Sequence, residues 1–294
     1  MDGLLEVDGL VKRFGKTQVL HGVSFSVQKG EVFGLVGESG CGKTTVGRTV
    51  LGLYPADGGS VRFDGRETIG IKGRERKAFA RRAQMIFQDP IASLNPRMTV
   101  KEILSEGLLV HGEKRGKSVD EKVERALFSV GLPKTALGRY PHEFSGGQRQ
   151  RIGIARAIVL EPEFIIADEP VSALDVSVQA QVINLLSDLK RDLGLTVLFV
   201  AHDLSVVKYF CDRVAVMYAG EIVEIAPSKK LFEKPKHAYT KSLLSAIPLP
   251  DPRRAKRMRR IPFEEKIGEN IGAGTHLTQV CEGHFVRKGA EGKD

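Results

Sequence analysis

Gly37-Glu38-Ser39-Gly40-Cys41-Gly42-Lys43-Thr44 is the stretch on which the reading of this chain turns. Its spacing is G-x-x-x-x-G-K-[ST], in which glycines let successive backbone N–H groups face phosphate oxygens at a distance that any Cβ would crowd. Lys43 supplies a point charge for β- and γ-phosphates, and Thr44 a hydroxyl for Mg²⁺, with Thr45 counted among the nucleotide-binding residues. A glycine-rich turn can match this spacing by chance, so the flanks decide. Glu31-Val32-Phe33-Gly34-Leu35-Val36 reads as a buried strand before the loop, and Lys43 to Leu53 as a helix after it. The N-terminus of that helix directs its partial positive charge at the anion, which makes a nucleoside triphosphate the expected ligand.

The rest of the chain is consistent with a soluble α/β protein. It has 294 residues, 41% hydrophobic and 28% charged, enough for a full core and a second lobe. No apolar run reaches the length needed to cross a bilayer, and Met1-Asp2-Gly3-Leu4-Leu5-Glu6 lacks the basic-then-apolar order of a secretory signal, so a cytosolic location is expected. Cys41, Cys211 and Cys281 lie far apart without metal-ligand spacing, which points to free thiols. The net charge of +9 favours anionic partners without choosing among lipid, nucleic acid, acidic protein and the nucleotide itself.

Strand-like runs at Leu4–Val11, Gln18–Val27 and Ser60–Phe63 predict an antiparallel flank. From about Ile91 to Phe144 the pattern is helical: Ser118 and Glu121 fit a capping box, Val123, Leu127 and Val130 share a face, and Gly131 ends the segment. Phe164–Asp168 and Thr196–Val200 then read as buried strands around a helix striped by Val178, Val182, Leu185, Leu186 and Leu189, the order of a parallel sheet with covering helices. Beyond Pro248 the chain becomes basic, with weak periodicity.

Two further stretches carry chemistry. Phe164-Ile165-Ile166-Ala167-Asp168-Glu169 sets two carboxylates at the carboxyl end of an apolar strand, where Asp168 suits Mg²⁺ coordination and Glu169 the activation of water. Ser145-Gly146-Gly147-Gln148 opens a second helix at a serine-glycine cap, again an end suited to phosphate.

With these residues in place the chain resembles the nucleotide-binding subunit of an ATP-binding cassette (ABC) transporter, over roughly Leu4 to Pro248. The resemblance implies an α/β fold: a P-loop NTPase core with a parallel sheet, an antiparallel β flank and an inserted helical subdomain at about 91–160. It places the ATP-binding domain at 1–250 and a basic C-terminal extension of the peptide-importer type at 251–294. It also implies that the phosphate loop of one subunit and the Ser145-Gly146-Gly147-Gln148 signature of another enclose each ATP. On the same footing Phe14 stacks on adenine, Gln88 links the metal site to the transmembrane partner, Ser172-Ala173-Leu174-Asp175 communicates across the dimer, and His202 contacts the γ-phosphate. Taken singly, Phe14 could be a packed aromatic, Gln88 a solvated amide, Asp175 a helix cap and His202 a structural histidine.

Phe87-Gln88-Asp89-Pro90-Ile91-Ala92-Ser93-Leu94-Asn95-Pro96-Arg97 and His237-Ala238-Tyr239-Thr240, with Leu243-Leu244 and Ile247-Pro248, resemble the oligopeptide/dipeptide importer branch, which also includes oligosaccharide and nickel importers. The implied partners are a second ATPase subunit, identical or not, two transmembrane permease subunits and, indirectly, an extracytoplasmic substrate-binding protein, with the chain peripheral on the cytoplasmic side. Many members carry a Cys-rich C-terminal motif, whereas this tail has only Cys281; a cluster takes about four thiolates, so no iron–sulfur cluster is expected. Cys281-Glu282-Gly283-His284-Phe285-Val286 resembles a family tail ending, expected as a solvated or packed terminal segment. Arg253-Arg254-Ala255-Lys256-Arg257-Met258-Arg259-Arg260 holds six positive charges without an interleaved aromatic, which reads first as a solvated tail, then as a lipid or partner contact, and last as a nucleic-acid site. Soluble ABC ATPases that act on DNA or ribosomes usually carry two cassettes or a long coiled coil, and a non-catalytic module would lack Glu169 or Lys43.

Overall fold

The computed structural model describes residues 3–172, 174–246, 261, 263 and 277–287, so the basic run at 253–260 lies outside the described residues, as do Ile247-Pro248 and Ala173. The chain divides into one compact unit of Met1–Gly70 with Phe199–Asp294 and another of Ile71–Leu198. Up to Gly70 the elements are β1 (Leu5–Phe14), β2 (Thr17–Val27), β3 (Val32–Val36), α1 (Lys43–Val50), β4 (Gly58–Phe63) and β5 (Arg66–Glu67). The second unit contains α2 (Gly73–Arg82), β6 (Ala83–Ile86), α3 (Val100–Val110), α4 (Lys117–Ser129), α5 (Gly146–Ile158), β7 (Phe164–Asp168) and α6 (Val176–Leu193). After the boundary strand β8 (Thr196–Ala201) come α7 (Leu204–Phe210), β9 (Arg213–Tyr218), β10 (Glu221–Pro227), α8 (Ser228–Glu233), α9 (Ala238–Ser245), β11 (Leu277–Cys281) and β12 (His284–Arg287).

The first unit is built on two sheets. Leu5, Val7 and Leu10 of β1 are buried, and β1 pairs antiparallel with β2 (Leu5↔Val27, Val7↔Phe25) and with β4 (Leu5↔Phe63, Val7↔Val61). This is the antiparallel flank read from the sequence, with β1 and β2 running to Phe14 and back from Thr17. In the other sheet β3 runs parallel to β9, with Phe33↔Arg213 and Val36↔Val216 in register, and β9 pairs antiparallel with β10. Every residue of β3 is buried, as the continuous apolar run of a doubly covered strand requires. Phe25 and Phe33 stack at 5.4 Å, each burial contributing about 1.5–3 kcal/mol.

The helix after the phosphate loop is shorter than its expected end at Leu53. Gly52 takes φ 64, its N–H donates to Thr49 O at 2.9 Å, and Leu53 N–H donates to Arg48 O at 2.8 Å. That pair of bonds is a Schellman stop, which satisfies the last carbonyls three residues early.

In the second unit β6 and β7 pair in parallel, and α3, α4 and α5 pack around Val100, Ile103, Leu104, Leu108, Val123, Leu127 and Ile152, all buried. The capping box expected at Ser118 and Glu121 is not formed. Helix α4 starts at Lys117 with Gly116 as its N-cap, which costs only a few tenths of a kcal/mol relative to a serine cap, and Glu121 pairs with Lys117 at 3.8 Å instead. Capping boxes occur at Thr99/Glu102 and Ser145/Gln148.

Of the two expectations for Cys281–Val286, solvated or packed, the structure shows a packed segment, as a hairpin that weak periodicity did not indicate. β11 and β12 form a hairpin that extends the β10 edge, with Glu224↔Val286 and Ile225↔Phe285 in register. His284 Nε2 lies 2.6 Å from Glu224 Oε1, and Arg287 pairs with Glu221, all four side chains being buried.

Candidate functional site

The phosphate loop hangs from the end of β3. Gly37, Gly40 and Gly42 have φ of 156, 83 and 108. A Cβ at Gly37 would stand 2.2 Å from Met217 O, and one at Gly42 would stand 2.9 Å from Met217 Cε and 3.0 Å from Leu20 Cδ2. Lys43 begins α1, and its Nζ donates to Gly37 O at 2.9 Å and Glu38 O at 2.8 Å, so a buried ammonium is held inside the loop. Thr44 and Thr45 follow in the first helical turn, where amides and dipole favour an anion. Glu38, Ser39 and Gly40 form the exposed rim. Burial pushes the Cys41 thiol up, with the neighbouring Lys43 charge acting against it.

Two other expected residues lie in the same unit. Phe14 ends β1 as an exposed residue, its ring edge-on to Tyr54 at 5.3 Å and 5.2 Å from Lys12 Nζ. His202 follows β8 directly and is exposed, next to Asp203, which caps α7 by accepting from Ser205 N at 2.9 Å.

In the second unit the parallel register brings two distant residues together. Ile86 pairs with Ala167, and two residues beyond each lie Gln88 and Glu169, joined by Gln88 Nε2 donating to Glu169 Oε2 at 2.9 Å. Glu169 sits at φ 43, a left-handed conformation that costs a non-glycine residue about 1–3 kcal/mol and is held by Ser172 N–H and Oγ donating to Glu169 O. Asp168, the last residue of β7, is fully buried. Since the Gln88 nitrogen goes to Glu169, its carbonyl oxygen is available as an acceptor. That oxygen and the Asp168 carboxylate are hard oxygen donors of the type Mg²⁺ takes; in the first unit the Thr44 hydroxyl is a donor of the same type.

Ser145 caps α5: its Oγ accepts from Gln148 N at 3.3 Å while Gln148 Oε1 accepts from Ser145 N at 3.0 Å. The Gln148 side chain is thus turned back onto the cap. Ser145 and Gly146 are exposed, and a Cβ at Gly147 would meet Val178 Cγ1 at 2.6 Å, so only glycine lets α5 approach α6 this closely. Asp175 is the N-cap residue of α6, its backbone oxygen accepting from Val178 and Gln179.

The ABC transporter family profile matches residues 20–172, and the profile for the oligopeptide/dipeptide transporter C-terminal region matches residues 223–283. The oligopeptide transport ATP-binding protein OppF of Bacillus subtilis (strain 168) is 53% identical over 96% of this chain and 95% of its own length. The chain belongs to the ABC transporter family. A putative peptide import ATP-binding protein of Brucella ovis is 57% identical over 85% of this chain and 80% of its own length. Among solved structures, cbiO1 from Clostridium perfringens, part of the ABC transporter complex cbiONQ, matches at TM-score 0.73 with 26% identity, covering 88% of this chain and 99% of that one. The ATP-binding cassette MJ0796, in a dimeric post-hydrolysis state bound to ADP and Pi, matches at TM-score 0.69 with 27% identity, covering 76% and 98%.

The cassette also has contacts at its phosphate loop that the sequence reading did not supply. Gly220 N–H donates to Cys41 O at 3.0 Å and Glu38 N–H to Tyr239 Oη at 3.2 Å, bracing the loop from the β9–β10 turn and from α9. In the sequence alone Tyr239 marks only the importer branch. The cysteines of the cassette differ in reach: Cys281 is exposed, Cys41 half-buried, and Cys211 buried with its thiol pushed up by desolvation. A maleimide at pH 7 is therefore expected to label Cys281 first, Cys41 more slowly and Cys211 last, as peptide mapping by mass spectrometry would record. Labelling of Cys211 as fast as Cys281 would contradict this packing.

Proposed function

We propose that this chain is the ATP-hydrolysing subunit that drives a membrane importer of oligopeptides or dipeptides. It pairs with a second ATPase subunit and seats on two transmembrane permease subunits that receive cargo from an extracytoplasmic binding protein. The observation that carries the reading is the Gln88–Glu169 contact, which orients a carboxylate beside buried Asp168 in a chain that also holds a lysine-filled phosphate loop. The names of the two relatives above, an oligopeptide transport and a putative peptide import ATP-binding protein, support the cargo class.

In the proposed cycle the loop amides and the Lys43 ammonium take the β- and γ-phosphates, and Phe14 offers its ring to the adenine. Mg²⁺, when bound, offsets phosphate charge, with Thr44, Gln88 and Asp168 as its donors. Glu169 accepts a proton from the attacking water, and His202 holds the γ-phosphate in line. Ser145 and the amides of Gly146 and Gly147 of one subunit close over the ATP of the other, with Gln148 bracing the cap and Asp175 in the loop that communicates between them. Closure draws on contacts that exist only while the γ-phosphate is attached, so hydrolysis reopens the pair.

No helix among the described residues is long and apolar enough to cross a membrane, and the proposed position is peripheral, on its cytoplasmic face. Reconstituted with its permease and partner ATPase in proteoliposomes, the chain is expected to hydrolyse ATP faster when peptide-loaded receptor is added. Stimulation by an oligosaccharide- or nickel-loaded receptor would keep the ATPase and change the cargo. Stimulation by DNA or RNA without the membrane complex would overturn the transport reading.

A further inference from the structure

The phosphate loop is held from both of its sides. Inside, Lys43 Nζ takes the carbonyls of Gly37 and Glu38; outside, the N–H of Glu38 donates to the Tyr239 hydroxyl. The peptide linking Gly37 to Glu38 is therefore gripped at its oxygen by the ammonium and at its nitrogen by a side chain 201 positions away. Tyr239 is 2% exposed, although its partner lies on the open rim. Burial pushes its phenol well above the ordinary range, so the hydroxyl stays neutral at any physiological pH and keeps a lone pair for the amide.

What fixes Tyr239 is the C-terminal part of the chain. Its ring lies 4.4 Å from Tyr218 and 5.3 Å from Phe263, centroid to centroid. At the start of α9, the Tyr239 N–H donates to His237 Nδ1, and the carboxylate of Glu224 accepts from the amides of Lys236 and His237 at 2.8 and 2.9 Å. The same carboxylate lies 2.6 Å from His284 Nε2 on β12. Farther along α9, Ser242 Oγ donates to Ile261 O at 2.7 Å and Ile261 N–H to Ser245 Oγ at 3.0 Å. A phenol on a helix tied at both ends is a rigid prop.

We infer that Tyr239 is a positioning residue for the phosphate loop, the strut through which the C-terminal segment sets how tightly this chain holds ATP. The inference rests on the reading of residues 37–44 as the ATP site. Without the strut the Gly37–Ser39 segment has more conformers to give up when nucleotide binds, so the loss falls on affinity and not on the chemical step.

The test uses the full chain. Tyr239→Phe keeps the ring and removes the acceptor. It is expected to raise the ATP Kd and KM about threefold to tenfold, the effect of one net hydrogen bond, while kcat at saturation moves less than about twofold. Kd and KM within about twofold of wild type would overturn the strut. In the nucleotide-free wild-type chain the Glu38 amide is expected to exchange its hydrogen slowly, and that protection to be lost in Tyr239→Phe. An unprotected Glu38 amide in the wild type overturns the strut whatever the variant does. Lys43→Ala separates the two readings: if it binds ATP as tightly as wild type, the nucleotide site itself is misplaced. If it loses ATP while Tyr239→Phe is unaltered, only the strut fails.

Discussion

Replacing Glu169 with glutamine is expected to cut ATP turnover by about 10²–10⁴-fold, the span that positioned general bases contribute, while ATP binding stays close to wild type. The geometry favours a clean result. In the native chain Glu169 Oε2 accepts from Gln88 Nε2 at 2.9 Å, and a glutamine carbonyl oxygen can take the same bond. The backbone at φ 43 is held by Ser172, not by the carboxylate, so its strain is unchanged. What disappears is the capacity to accept a proton from water. Because closure is proposed to depend on an intact γ-phosphate, the variant should accumulate as an ATP-bound pair. Light scattering after size exclusion, with and without ATP, would reveal it. A wild-type rate in Glu169→Gln would remove this residue as the base, and slow turnover without any ATP-dependent pairing would remove the closure step.

How much of this arrangement could be read beforehand depended on how locally its causes are written. The run from Val32 to Lys43 contains its own strand, its glycines and its lysine, and nothing distant is needed to recognise it. The end of α1 is equally local, yet the sequence hides it, because apolar residues continue beyond Gly52 to Leu53. Gln88 and Glu169 were legible as separate candidates. Their contact was not, because it depends on a parallel register, Ile86 against Ala167, that pairs residues 81 positions apart. The tail hairpin is hidden in the sequence for another reason. Its anchors, His284 and Arg287, are polar side chains buried against Glu224 and Glu221, so hydrophobic alternation under-reports the strand. The cue that was present is Glu282-Gly283, a two-residue turn with Gly283 at φ 69 between short alternating runs.

The glycine that opens the phosphate loop should prove the least replaceable residue in it. An alanine Cβ at position 37 would stand 2.2 Å from Met217 O and 2.9 Å from Cys41 Sγ. Met217 cannot retreat: its side chain is fully buried in β9, and the preceding residue, Val216, is in register with Val36 of β3. The loop must therefore move instead, which pulls the Gly37 carbonyl away from Lys43 Nζ. Overpacking together with backbone strain predicts about 2–5 kcal/mol of lost stability for Gly37→Ala. ATP affinity should fall by at least about a hundredfold, since loop amides and ammonium both lose their alignment. Gly30→Ala is the matched comparison. Gly30 also has a positive φ, 75, but a Cβ there meets nothing within 4 Å, so only the conformational cost of about 1–2 kcal/mol applies and ATP binding should persist. Thermal melts and ATP titrations on the two variants separate steric contact from backbone strain. Equal, mild losses in both would mean that the loop is free to shift away from β9, and that its shape does not depend on the strand beneath it.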